Sequence, residues 1–302
     1  MRIAIIGAGG VGGYFGALLA RAGQDVALYA RGEHLDALRA RGITIRSDGD
    51  SFTVPVGATH DARELLGASL AIVAVKSYSV PEIAPVVRLL AEDGAVILPL
   101  LNGVGAADDL TAHGVARAQI IGGLTMVSAF RSAPGEITRV SWQERIILGE
   151  LNGELSDRAT AIAATIRAAG VETVATTNIV VELWRKFNML CAMAAACGLA
   201  RSDVGGIRDT RLGLRLIERA VAEISAVGRA KGVAIPATQE EETMRRIAAL
   251  PPAMKPSFLL DLERGGPTEL DVLSGAVSRF GDETGVPTPV HDTAAAALVT
   301  KP

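Results

Sequence analysis

Two groups of residues have types and spacings that could do chemistry. The first is Gly7, Gly9 and Gly12, at G-x-G-x-x-G spacing between the apolar run Ile3 to Ile6 and the helix-favouring stretch Ala17 to Ala22. A glycine turn there lets backbone approach a pyrophosphate closely. It also aims the free N–H groups and partial positive charge of a helix N-terminus at the phosphates. A ligand-free αβ turn would use the same residues, but the strand–turn–helix context favours a dinucleotide. The second group lies far along the chain: Lys186 within Glu182-Leu-Trp-Arg-Lys-Phe-Asn188, then Ser257 and Asp261, then Glu269 and Asp271. A lysine entering an apolar helix can form an ordinary i, i+4 pair, here with Glu182. It can also act as a proton donor whose pKa burial tunes. Composition alone favours the ion pair. Glu269 and Asp271 have an equally plain reading, as carboxylates in a helix's first turn favoured by its dipole.

The elements around these residues must position them. Asp25 to Ala30 reads as a buried strand ending at Ala30-Arg31-Gly32. NAD-binding domains place an acid near this point to hold the ribose 2′-hydroxyl. Here Arg31 offers a planar donor fork suited to a 2′-phosphate, so the reading is NADP(H) over NAD(H), with a solvated arginine as the plain alternative. Arg39, Arg41 and Arg46 read as solvated or structural, and His34 could flank an adenosine, though nothing local demands it. Leu70 to Val75 runs into Lys76, and Ala95 to Leu101 runs into Asn102-Gly103. Open α/β sheets bind ligands at such carboxyl ends of strands; a solvated lysine and a plain Asn-Gly turn are the alternatives. Residues 43–56 suggest a hairpin near the sheet edge. Strands follow over 120–128 and 144–149, with Pro134-Gly135 as the turn between them. Val80 to Ala91 and Ser156 to Ala169 read as helices, the latter capped by Ser156 and stopped by Gly170, and 171–174 as a last strand.

Past Thr176 the alternation of strands and helices stops, and helical patterns cover roughly 180–200, 208–231, 238–249, 256–264 and 268–284. The predicted fold class is α/β: a Rossmann-type dinucleotide-binding domain over 1–176, followed by an all-helical domain over 177–302. With 302 residues, 49% of them hydrophobic and 21% charged, two globular domains are affordable. A net charge of −3 implies no bulk attraction to nucleic acid or an anionic membrane. Cys191 and Cys197 lack metal-site spacing and read as small core residues of a reducing compartment, so no metal is expected. The apolar stretch Met189 to Ala200 is too short to span a bilayer, and nothing before the first strand makes room for a signal peptide. The expected setting is the cytoplasm, and the apolar second domain would support a homodimer.

Taken in order, several stretches resemble the ketopantoate reductase family (2-dehydropantoate 2-reductases). They are Gly-Ala-Gly-Gly-Val-Gly at 7–12, Arg31, Val-Lys76, Asn102-Gly103, Trp184-x-Lys186-Phe, Pro-Ser257-x-x-x-Asp261, Pro-Thr-Glu269-x-Asp271 and Gly285-Val-Pro-Thr-Pro289. The resemblance implies NADPH-dependent reduction of a 2-oxo acid to a 2-hydroxy acid, with ketopantoate to pantoate, a step of pantothenate biosynthesis, as the first candidate. It implies Lys186 as general acid and Glu269 as its acidic partner, Ser257 as a substrate-binding serine, and Lys76 and Asn102 as neighbours of nicotinamide and substrate. Gly7, Gly9, Gly10, Val11, Gly12 and Arg31 match the cofactor set. One departure matters. The family commonly carries asparagines four and eight residues after the helix lysine, where this chain has Leu190 and Ala194. Asn188 lies on another side of the helix and cannot replace them, and Ser274 also stands where an asparagine is often seen. The pocket should therefore be more apolar. This leaves a related hydroxy acid dehydrogenase acting on a different, more apolar 2-oxo acid as an alternative. A non-catalytic NADP-binding regulator is another, one that would not need both Lys186 and Glu269.

Overall fold

A computed structural model describes residues 1–140 and 144–299. The chain divides into two compact units: Met1–Leu101 with Ala106–Ile179, and Asn102–Gly105 with the residues from Val180 on. A single cut near 176 would leave Asn102–Gly105 with the first unit; the structure groups this short segment with the second.

The first unit contains strands β1 (Arg2–Ile6), β2 (Asp25–Tyr29), β3 (Ile43–Arg46), β4 (Phe52–Val54), β5 (Gly57–Thr59), β6 (Leu70–Val73), β7 (Val96–Pro99), β8 (Gly122–Met126), β9 (Ala129–Ala133), β10 (Glu136–Arg139), β11 (Arg145–Gly149) and β12 (Glu172–Ala175). Its helices are α1 (Gly10–Arg21), α2 (Gly32–Arg41), α3 (Val80–Glu92), α4 (Ala106–Ala112) and α5 (Asp157–Ala168). Five strands form a parallel sheet in the order β5-β2-β1-β6-β7. Alternation along the strands builds two layers, because successive side chains point to opposite faces. Ile3 and Ile5 pack with Phe15 and Leu19 of α1 on one face. Ala4 and Ile6 pack with Ile83, Val87 and Leu90 of α3 on the other. Strand order reverses between β1 and β6, the switch point outside whose carboxyl ends such sheets bind ligands.

Two expectations need correction here. Residues 43–56 do form an antiparallel pair, but not at the edge of the main sheet: β4 and β3 join β10 and β9 in a separate four-stranded sheet. The Pro134-Gly135 turn joins β9 to β10, two strands that the reading of 120–149 passed over. Their sequences, Ala-Phe-Arg-Ser-Ala and Glu-Ile-Thr-Arg, carry few apolar residues, so sheet partners rather than local pattern define them. Ser156 caps α5 as expected, its hydroxyl accepting from the Ala159 N–H at 3.1 Å.

The second unit contains α6 (Ile179–Ala200, entering it at Val180), α7 (Val204–Arg208), α8 (Arg211–Ala230), α9 (Gln239–Ala248), α10 (Ser257–Glu263), α11 (Ser274–Thr284) and α12 (Pro289–Ala297). Residues 191–197 of α6 are all buried, so this helix is the centre of the unit's core. Both cysteines are free and buried there. The pattern over 208–231 breaks at Asp209-Thr210, where the Thr210 hydroxyl accepts from the Gly213 N–H at 3.1 Å and starts α8. The helix expected over 268–284 starts only at Ser274, after a single 3-10 turn at Leu270–Val272. Glu269 therefore precedes that turn, makes no capping bond, and lies outside any α-helical first turn. Helix α12 was not expected. Its first N–H groups are met from α8, where the buried Glu223 carboxylate accepts from Val290 and His291 at 3.0 and 3.1 Å. A cap supplied by so distant a residue leaves no local signal. Among the described residues no helix is long and apolar enough to cross a membrane.

Candidate active site

The glycine turn follows β1. Gly7 has φ of +103°, and a Cβ there would come within 2.7 Å of the Val75 side chain, just past the end of β6. Gly12 is equally constrained: its Cβ would fall 2.1 Å from the Gly7 carbonyl oxygen, so glycine is what lets α1 start against the turn. Gly10 faces the hairpin, with a Cβ position 2.0 Å from the Ala129 oxygen. Gly9 differs from all three. Its backbone is extended (φ −79°), and a Cβ there would meet nothing within 4 Å. The fold has no need of glycine at 9, whereas a pyrophosphate drawn close to the backbone does. Gly9 is also the N-cap of α1 and offers no side-chain cap, so the first N–H groups of the helix, among them Val11, are left for an anion. The turn therefore fits a dinucleotide.

His34 serves this turn from below. It is buried, its Nε2 donates to the Ala8 carbonyl at 2.7 Å and its Nδ1 accepts from the Gly135 N–H at 2.9 Å. Burial lowers its pKa, and a ring whose Nδ1 accepts a hydrogen bond is the neutral form. It is a bolt between turn and hairpin, with both ring nitrogens taken up by backbone groups. Arg31, at the carboxyl end of β2, is exposed and ion-paired with Glu82 in the first turn of α3. Sequence reasoning passed over Glu82, since nothing near it in the chain signals the pairing. Arg39 donates to the Ala58 carbonyl, Arg41 to that of Pro134, and Arg46 pairs with Glu136. Lys76 follows β6 and precedes the 3-10 turn Ser77–Ser79.

In the second unit, three of the singled-out residues meet. Lys186 stands on α6 two turns from its start, and its Nζ donates to Oδ1 of Asn102 at 3.3 Å. The Asn102 amide nitrogen donates to Oε2 of the buried Glu269 at 3.0 Å. The two bonds fix the amide's orientation, because a flipped amide would aim N–H groups at an ammonium and oxygen at a carboxylate. Gly103 makes the arrangement reachable: at φ +92° it turns the segment so closely past Val272 that a Cβ would sit 3.1 Å from the Val272 oxygen. Burial lowers the Lys186 pKa to about 8, against the opposing pull of the Glu269 carboxylate. The i, i+4 pair with Glu182 is not what forms; Glu182 pairs with Arg185, which also holds Glu242. A lysine that retains its charge near neutrality, yet gives up a proton easily, suits general acid work.

Other expected residues fall less centrally. Ser257 is exposed at the first position of α10. Leu190 is half-buried and Ala194 buried on α6. Asn188 is committed elsewhere: its amide donates to the Ser225 hydroxyl at 2.7 Å and the Val221 carbonyl at 3.2 Å, tying α6 to α8. Ser274 lies in a buried cluster with His291 and Cys191. Among the described residues no group of three His, Cys, Asp or Glu side chains could hold a metal ion.

Comparison with known proteins places both parts of the chain in one family. Residues 3–153 match the family model for ketopantoate reductase PanE/ApbA, and residues 178–301 match that for its C-terminal part. The chain is 32% identical to a 2-dehydropantoate 2-reductase of Mesorhizobium japonicum, over 99% of this chain and 97% of that protein. It is 31% identical to one of Halobacterium salinarum, over 98% and 97%. The crystal structure of 2-dehydropantoate 2-reductase from Geobacter metallireducens superposes with a TM-score of 0.90 at 30% identity, covering 99% of each chain.

Proposed function

The chain belongs to the ketopantoate reductase family, and from that premise we propose that it reduces a 2-oxo acid to the 2-hydroxy acid with NADPH, ketopantoate being the first candidate. The observation that carries the reading is the Lys186–Asn102–Glu269 chain of hydrogen bonds around a lysine with a pKa near 8. The bound nicotinamide supplies the hydride. Reduction at C2 leaves negative charge on the former carbonyl oxygen, which the Lys186 ammonium stabilises and then protonates. Asn102 holds the ammonium in place, its own orientation set by Glu269. The Glu269 carboxylate favours the charged lysine. Ser257 binds substrate. Gly7, Gly9, Gly10, Val11, Gly12, Arg31 and Lys76 hold the dinucleotide.

A second reading concerns the substrate alone. Leu190 and Ala194 follow Lys186 on α6 where amides would hold substrate hydroxyls, and Asn188 is occupied by Ser225 and Val221. A buried hydroxyl without a partner costs about 1–3 kcal/mol, roughly one to two orders of magnitude in preference. That favours a 2-oxo acid with an alkyl side chain over hydroxylated ketopantoate. Purified protein and a panel of 2-oxo acids, followed by NADPH absorbance, test both readings. Oxidation of NADPH by at least one member is expected. None with any member overturns the reductase reading, whereas strong preference for an alkyl substrate overturns only ketopantoate.

A further inference from the structure

The Arg31–Glu82 pair has a consequence for cofactor choice. Arg31 sits where Rossmann-type domains read the adenosine ribose, at the carboxyl end of the strand beside β1. Its guanidinium is joined by Glu82, which α3 brings from the far side of the strand-order reversal. The two side chains remain 79% and 57% exposed, so both are open to a nucleotide. The two arginines of α2 point to other partners, Arg39 to the Ala58 carbonyl and Arg41 to that of Pro134. A 2′-phosphate approaching Arg31 therefore meets a cation already matched by a carboxylate. A ribose 2′-hydroxyl, in contrast, can donate a hydrogen bond to the carboxylate, the contact that an acid at the end of this strand supplies in NAD-binding domains.

We propose that Glu82 sets the dinucleotide preference of this protein: paired with Arg31, it weakens the claim of a 2′-phosphate on that arginine and gives a 2′-hydroxyl an acceptor, so that NADH is bound nearly as well as NADPH. The proposal rests on the reading of the glycine turn as a dinucleotide site. Exposed ion pairs are weak, so the phosphate can displace Glu82 and NADPH keeps a modest advantage, below about tenfold. Glu82 acts partly through Arg31, and its effect is electrostatic, so it should fade as salt screens exposed charges.

The test is equilibrium binding of NADPH and of NADH to the full chain without substrate, by titration calorimetry, for the wild type and Glu82→Gln. The substitution is at an exposed position and should leave folding intact, which circular dichroism checks. The expected result is a wild-type ratio of affinities within about tenfold, and a roughly three- to tenfold shift of that ratio toward NADPH in Glu82→Gln, shrinking at high salt. In an Arg31→Ala background the same substitution should shift the ratio much less. An unchanged ratio in Glu82→Gln, a wild-type preference for NADPH above about a hundredfold, or an equal shift without Arg31 would each overturn the role given to Glu82. Failure to bind either dinucleotide would instead overturn the reading of the glycine turn.

Discussion

Lys186 and Glu269 are bridged by one side-chain amide: Asn102 accepts from the lysine at 3.3 Å and donates to the carboxylate at 3.0 Å. The ammonium is thus tied, at one remove, to a buried negative charge. This is why burial brings the lysine down only to about 8. A reductase using Lys186 as its acid should lose kcat in the reductive direction as pH rises through about 8, when the ammonium is deprotonated. The oxidative direction should gain over the same range. Glu269→Gln removes the charge that opposes the depression, so the reductive limb should move to lower pH. A limb that stays in place would argue against Lys186 as the titrating group. Lys186→Ala should lower kcat by roughly two to four orders of magnitude while dinucleotide affinity changes little.

Gly9 and Gly10 are adjacent and should fail in different ways. A methyl group at Gly9 meets open space in this structure, whereas at Gly10 it falls 2.0 Å from the Ala129 oxygen. Gly9→Ala should keep the thermal midpoint within a few degrees and weaken NADPH binding by about tenfold or more, through steric exclusion of the pyrophosphate. Gly10→Ala should lower the midpoint itself, because β9 must move. Equal midpoints with equal loss of binding would show that the turn has been misjudged.

The apolar positions after Lys186 make a separate prediction. Leu190→Asn restores an amide one helical turn beyond the lysine. It should raise kcat/KM for ketopantoate relative to an alkyl 2-oxo acid by about tenfold, the scale of one buried hydroxyl gaining a partner. A ratio that does not move would mean that Leu190 does not face the substrate.

His291 should mark the acid limit of stability. Fully buried, it donates through Nε2 to the Ala220 carbonyl and accepts from the Ser274 hydroxyl through Nδ1, and burial lowers its pKa from 6.5 to about 4. Its folded pKa is depressed, so the stability it contributes is present above about 6.5 and lost as pH falls toward 4, on the order of 3 kcal/mol in all. Glu223 of α8, whose carboxylate caps the start of α12, has a raised pKa and pulls the other way. Asp292 also faces the histidine and favours its charged form. Chemical denaturation across this range should show a falling stability in the wild type and a flatter profile in His291→Gln, from a lower starting point. Parallel profiles would remove His291 as the cause.

What the sequence determined by itself was whatever is local or ordered along the chain. The strand–glycine–helix start is written in sixteen consecutive residues, and Ser156 and Gly170 bracket α5 because caps and stops act within a turn. Lys186, Asn102 and Glu269 could be singled out by the order of their motifs, but not joined. The bonds that link them span 84 and 167 residues, and helix spacing by itself offers Glu182 as the nearer partner. Tertiary structure decided that contest by setting the lysine against Asn102 from a distant segment, while Glu182 pairs with Arg185. It likewise decided the two unread strands, the cap of α12 and the partner of Arg31. For β10, α12 and Arg31 the stabilising group comes from far along the chain, and hydrogen bonds and charge depend on distance in space, where periodicity and propensity carry no information.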